Sequence, residues 1–310
     1  MTEQMSELAL RELLWFGDGD PSEIDKRAAE SLAANVVKAS GLKPFPTVAQ
    51  RVLSLLAEGD VEVRTLHETL EKDPVLAARV LRVASSPLYA PSKPYVSLEQ
   101  ALVRLGNRTV GELVAGVAAM GVFRDAKGVG ETVRTHCATV AAIARVIGTE
   151  RRFRGVGRSF LAALLHDVGK LMLVEVDAFD YSTLVCLDRA DECHVHERLA
   201  LGYDHAALGA HVLRAWGLDE SLVRVVAFHH QPGHVYSSDA FEAQVAALLR
   251  FANAIEYTFR RSRESVDDES VRALCEHEAN AYVGLSAPGL AGLWPRFREA
   301  DAELRAAFGA

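Results

Sequence analysis

An all-α fold is what this 310-residue sequence predicts, on three grounds. Hydrophobic residues make up 49% of the chain while aromatics are only 7%, and Ala, Leu and Val dominate, a mix that favours helices over sheet. Apolar residues recur at helical spacing between recognisable caps. No run of alternating β-branched residues is long enough to argue for a strand.

The helices can be read in order. TVAQRVLSLLAEG puts Val48, Val52, Leu55 and Leu56 on one face, with Thr47 as a candidate N-cap and Gly59 as a stop. KDPVLAARVLRVASSP opens with Asp73 at the N-cap and Pro74 at the first helical position, and Pro87 closes it. SLEQALVRLG pairs Ser97 with Gln100 as a capping box and ends at Gly106, and a further helix runs from Arg108 to Phe123. RDAKGVGE, around 124–131, reads as a subdomain boundary. Beyond it, helices are expected at about 131–148, 159–168, 170–176, 192–200, 204–216, 219–229, 240–262, 268–281 and 289–307. The expected division is 1–35 as an N-terminal helical extension, 36–125 as an N-terminal subdomain, 126–285 as a second helical subdomain and 286–310 as a C-terminal helix. The amphipathic N-terminal stretch is compatible with a homodimer.

Several function classes are disfavoured. The formal net charge of −8 argues against nucleic acid as a partner, because phosphate neutralisation dominates that binding. The longest apolar run, near Leu113–Phe123, is too short to span a bilayer, which speaks against a membrane role. The four cysteines, Cys137, Cys186, Cys193 and Cys275, form no C-x-x-C pair, and no signal peptide precedes them. That pattern suggests a reduced, cytoplasmic protein.

The chemistry-bearing residues gather in the second half. LLHDVGKLML places His166, Asp167 and Lys170 inside an apolar segment, where burying them is costly unless something compensates. His136 shares a helix face with Val140, Ile143 and Ile147. His205 begins a helix, and His229 and His230 end one. Singly, each histidine reads as a hydrogen-bonded core residue; together with one aspartate they read as metal ligands. Imidazole with carboxylate suits iron, manganese, nickel or zinc, and an aspartate between two metals can bridge them. DECHVHE, with Cys193, His194 and His196, has no second cluster at zinc-finger spacing and is expected to be a polar helix surface.

The order His136, His166-Asp167, His205, His229-His230 resembles the HD superfamily of metal-dependent phosphohydrolases. With LKPFPTVAQRVLSLL, LEKDPVLAARVLRVASSPLY, SLEQALVRLG and GYDHAALGAHVLRAWGLDESLVRVVAFHHQP, it resembles the HDOD (HD-related output domain) family over roughly 40–235. The resemblance implies an N-terminal helical bundle packed on an HD-like helical bundle. It implies His136, His166 and Asp167 as the basic metal set, with a fourth ligand on VAALLRFANAIEYTF, where Asn253 takes the place of the expected aspartate. Glu256, one turn further along and about 60° round the helix, could in principle stand in for it. His205, His229 and His230 resemble the extra ligands of the HD-GYP phosphodiesterases, whose Gly-Tyr-Pro signature is missing from QPGHVYSSDA.

Two functions follow as expectations. The first is a bacterial signalling output module that works through protein or ligand binding, its metal site degenerate or empty. The second is a metal-dependent phosphodiesterase acting on a nucleotide or cyclic dinucleotide, with Asp167 ordering the metals and Lys170 stabilising phosphate charge. For Lys170 the alternative is a helix C-terminal cap assisted by Gly169.

Overall fold

A computed structural model describes residues 34, 44–86, 89, 95–123, 128–175, 181, 193–230 and 240–308, and none of them lies in a strand. The helices are α1 Thr47–Ala57, α2 Val63–Leu70, α3 Pro74–Ala84, α4 Leu98–Val122, α5 Val129–Glu150, α6 Val156–Leu165, α7 Val168–Glu175, α8 Cys193–Leu201, α9 His205–Ala215, α10 Glu220–Ala227, α11 Ala240–Arg261, α12 Asp268–Cys275, α13 Asn280–Val283 and α14 Ala287–Phe308. No described helix is long and apolar enough to cross a membrane. The N-terminal extension apart from residue 34, Pro87 and residues 124–127 of the expected boundary lie outside the described residues.

The local signals act largely as the sequence suggests. Asp73 caps α3 by accepting from Leu76 N at 3.0 Å, with Pro74 at the first position. Ser97 accepts from Gln100 N at 3.1 Å, and the Gln100 side chain reaches back to Val96 N at 2.9 Å, one residue earlier than in a standard capping box. Gly106, at φ 74° and ψ 160°, breaks α4 into two rods, a conformation open to glycine without strain. Thr47 is not a cap. Pro46 holds that position and contributes no side-chain bond, so Thr47 becomes the first helical residue. The helix expected over 268–281 stops at Cys275 and resumes as the short α13, where Asn280 bonds Cys275 O and both backbone groups of Leu285.

Two bundles share one core. Helices α1–α3 pack on α4, and α4 packs in turn on α6. The second bundle is built around α5, which touches α6, α7, α11 and α14 and is accordingly apolar around most of its circumference. The C-terminal helix is fastened by buried Asp301, which accepts from Thr139 Oγ1 at 2.6 Å, and by Trp294, which donates to Ser262 O at 2.8 Å.

One close approach positions everything that follows. Where α7 crosses α9, a Cβ on Gly169 would lie 1.9 Å from His205 O and 3.0 Å from Gly209 N. Gly169 is therefore not a helix stop: it sits inside α7 so that two backbones can touch. Gly169→Ala should destabilise by about 1–3 kcal/mol or more, since backbone rather than a flexible side chain must move. Gly292, inside α14 with nothing within 4 Å of its Cβ position, is the contrast. Gly292→Ala should be neutral or stabilising by up to about 1 kcal/mol. Urea denaturation midpoints of the two variants check the difference.

Candidate metal centre

The segment LLHDVGK runs out of α6 and into α7 almost without a break. His166 is the C-cap residue just after α6, with φ −57° and ψ −36°. The Asp167 carbonyl then accepts from Lys170 N and Leu171 N, starting α7. This tight junction turns both side chains inward, where each is 1% exposed. His136 comes from the middle of α5. His205 is the first residue of α9, held there by an Asp204 cap that accepts from Ala207 N at 2.9 Å and is gripped by Arg198. His229 and His230 follow the end of α10.

These side chains meet. One group is Asp167, His205, His229 and His230; the other is His136, His166 and Asp167; within each, the potential ligand atoms lie within 4.8 Å of one another. Asp167 belongs to both. His205 Nε2 lies 3.1 Å from Asp167 Oδ1 and 3.3 Å from His229 Nε2, and His230 Nε2 lies 2.8 Å from His205 Nε2. His136 Nε2 lies 3.2 Å from His166 Nε2.

The outward-facing nitrogens explain this geometry. Four of the five rings place Nδ1 against an acceptor: His136 on Glu256 Oε2 at 2.9 Å, His166 on Ala163 O at 2.7 Å, His205 on Glu197 Oε2 at 2.6 Å and His229 on Val226 O at 2.7 Å. These acceptors assign the proton to Nδ1 and leave an Nε2 lone pair directed at the cluster. Lone pairs facing one another at such distances repel unless a cation lies among them. Asp167 Oδ1 and His230 Nδ1 are buried with no hydrogen-bond partner among the described residues. Neutral imidazoles and a carboxylate with a spare oxygen are the donor set of a transition-metal site, so the residues fit such an ion.

Charge is distributed unevenly. Burial lowers His166 to about 4 and holds His229 and His230 well below the usual imidazole range. Burial also opposes charge on His205, but Glu197 and Asp167 outweigh it and raise the ring to about 9, so without an ion His205 holds a second proton on Nε2 against Asp167, which a metal would displace to use that lone pair. Burial works against Asp167 ionisation too; His166, Lys170 and His205 together overcome it and keep the carboxyl well below its ordinary value. Lys170 donates to Asp167 Oδ2 at 2.8 Å and is itself buried, its pKa raised by that carboxylate against the desolvation cost. It lies in the first turn of α7 and caps no C-terminus. Burial pushes the Cys137 thiol up, which suits a packing role.

Two features depart from the sequence reading. The carboxylate that touches His136 is Glu256, while Asn253 is buried on the same helix with its Oδ1 unpartnered. The described part of DECHVHE, Cys193–Glu197, is not a polar surface. Cys193, His194 and Glu197 of α8 are buried, His194 stacks on His230 with ring centroids 4.2 Å apart, and Glu197 accepts from Tyr181 Oη at 2.5 Å as well as from His205. His196 faces out, so His194 and His196 share no zinc site. The spacing of Cys193, His194 and Glu197, at i, i+1 and i+4, is the signal that marks this inward face.

Comparisons with known proteins fit this geometry. The family model described as HDOD domain matches residues 42–232. A candidate phosphohydrolase from Shewanella amazonensis SB2B superposes with a TM-score of 0.67 at 25% identity, covering 89% of this chain and 98% of that one. An HDOD domain protein of unknown function from Geobacter sulfurreducens gives 0.64 at 24% identity, covering 90% and 98%. An uncharacterised protein of Treponema pallidum is 20% identical over 68% of this chain, and the match spans 42% of that protein's length. With two stacked helical bundles, a His-Asp junction at the heart of the second and a family match over most of its length, this chain belongs to the HDOD family.

Proposed function

We propose that this HDOD protein is a regulatory signalling module whose His–Asp cluster holds divalent transition metal, and whose output passes through a ligand or a partner protein. The observation that carries the reading is the inward convergence of Nε2 lone pairs around Asp167, with Nδ1 of four rings already committed to acceptors. Iron, manganese, nickel and zinc are the ions this donor set suits. His136, His166, Asp167, His205, His229 and His230 are the proposed ligands. Glu256 and Glu197 fix the His136 and His205 rings, and Asn253 is at most an auxiliary donor.

A regulatory role is favoured over catalysis by what Lys170 is doing. Its ammonium is consumed by Asp167 inside the core, so it does not offer a free charge to a substrate phosphate. The cluster is also nearly sealed; His136 is its more accessible member, with an 11% exposed side chain. The second reading is a metal-dependent phosphodiesterase for a nucleotide or cyclic dinucleotide, favoured by Asp167 being common to both ligand groups as in two-metal sites. Bound metal supplies Lewis acidity there. In that reading Asp167 orders the two groups, Lys170 keeps Asp167 ionised, and Glu197 and Glu256 hold the rings in the ligating tautomer.

Protein purified without chelator or histidine tag should carry near-stoichiometric iron, manganese, nickel or zinc by elemental mass spectrometry. Asp167→Ala should lose most of it, and chelation should lower the melting temperature of the wild type but not of Asp167→Ala. A wild-type site that stays empty after soaking in these ions would sink the proposal. Phosphodiesterase turnover abolished by Asp167→Ala would favour the second reading over the first.

Glu197→Gln keeps the side-chain shape and removes the charge behind His205. Metal affinity should fall about 10–100-fold, as for other groups that orient a ligating histidine. Competition with a fluorescent chelator measures it; an unchanged affinity would show that Glu197 serves only the fold.

A further inference from the structure

Outside the cluster, a cavity of about 300 Å³ opens beside His136, at the low end of the range for small-molecule sites. Its wall is the α5 face that carries Thr132, Thr135, His136 and Thr139, one helical turn after another. Across from it stand Arg260 at the end of α11, Arg263 just beyond, and Arg305 on α14. Two chain segments distant in sequence thus deliver three guanidinium groups to one hollow.

The arginines are held rather than loose. Asp301, 2% exposed, lies behind them, with Oδ2 3.3 Å from Arg263 Nη1 and 3.9 Å from Arg305 Nη1; its other oxygen is committed to Thr139. Arg260 Nε lies 3.9 Å from Glu256 Oε1, whose other oxygen is held by His136. The three side chains keep 31%, 43% and 29% of their surface exposed, and each guanidinium has five N–H donors. Two carboxylates also line the hollow: Glu256, already engaged by His136, and Glu131, which is exposed at the rim. Among the described residues that line it there is no Phe, Tyr or Trp, and the His136 ring is engaged by Glu256.

We propose that this cavity binds the phosphoryl end of a small phosphorylated molecule, gripped by Arg260, Arg263 and Arg305 next to His136. Planar guanidinium forks match the oxygens of a phosphate and bind it in paired hydrogen bonds, and threonine hydroxyls add neutral donors. The proposal deepens the ligand-binding reading above and shares with the metal centre only His136 and Glu256. It names the ligand class by its phosphate and assigns no base.

The test is calorimetric titration of the full chain with inorganic phosphate, as purified and after chelator treatment. Binding should be saturable, at least tenfold weaker in Arg260→Gln and Arg263→Gln, and unchanged in Arg298→Gln. Arg298 is the control because it lies on the same C-terminal helix but pairs with Glu264 away from the cavity. Arg263→Gln disturbs the Asp301 contact, so its melting temperature is compared with wild type; Arg260→Gln leaves that contact alone and decides the matter if Arg263→Gln does not fold. No saturable binding, full binding by Arg260→Gln, or equal weakening by Arg298→Gln would overturn the proposal. Phosphate binding that survives chelation yet disappears in Arg260→Gln upholds the cavity even if the metal reading fails. Normal metal content without phosphate binding overturns the cavity and leaves the metal reading standing.

Discussion

The Asp167 carboxylate is the constraint on which the second bundle depends. It is ionised and buried, and an unpaired charge in that position would cost several kcal/mol. Its compensation within the protein comes from Lys170, one turn along its own helix, and from His205 at the start of α9, the ring whose proton affinity is raised. Each of these contacts is a tether. Helices α7 and α9 are therefore fixed relative to one another by electrostatics as well as by apolar packing, while the neutral His166 and His229 rings turn Nε2 toward the same carboxylate from the ends of α6 and α10.

That arrangement is possible only because the backbone lets it be. The contact of Gly169 with His205 O and Gly209 N draws α7 onto α9 at backbone distance, closer than any side chain permits. A second ring of acceptors then does what the ligands cannot do for themselves. Ala163 O, Val226 O, Glu197 and Glu256 take up the Nδ1 protons and orient four rings toward one centre. Two of these acceptors are carbonyls near the ends of α6 and α10, so the helix termini that bring histidines to the site also set their tautomers.

Much of this was legible in the sequence, and the failures have physical causes. Helix order, the Asp73 and Ser97 caps and the break at Gly106 are local features, governed by a few neighbouring residues, and the sequence states them directly. The six main cluster residues stood out because histidine and aspartate are conspicuous in apolar helices. Glu197 and His194 did not, because a segment rich in charged and polar residues reads as solvated surface unless the partner that buries it is known. That partner, His205 with His230, is supplied by tertiary structure. Glu256 reads in the sequence as a stand-in for a ligand at position 253, not as the acceptor behind His136. Position 253 and position 256 lie on similar sides of one helix, and only the location of His136 on another helix decides which reaches it. The arginine cavity was invisible for the same reason, since residues 260, 263 and 305 have no local relation to Thr132–Thr139.

Formal charge connects the sealed centre to its more open flank. Asp167, Glu197 and Glu256 contribute three negative charges around neutral rings, and Lys170 returns one positive. The remaining deficit of two, before the partly exposed Arg260 at 3.9 Å from Glu256 is counted, matches a single divalent cation. The raised affinity of His205 for a proton reflects the same field, which favours positive charge at that ring. A second divalent ion would overshoot by two, and in a low-dielectric interior that excess would need an anion close by. Four of the proposed ligands are sealed behind α8, α9 and α10, whereas the His136 side borders a cavity lined with arginines. Among the described residues, the His136 flank is where an open cavity reaches the cluster. The carboxylates themselves favour neither half: Glu197 stands behind His205, Glu256 stands behind His136, and Asp167 is common to both groups. What distinguishes the halves is their surroundings, since among the described residues the arginine-lined cavity borders the His136 side, so on the reading proposed above any excess positive charge is most readily met by an anion there.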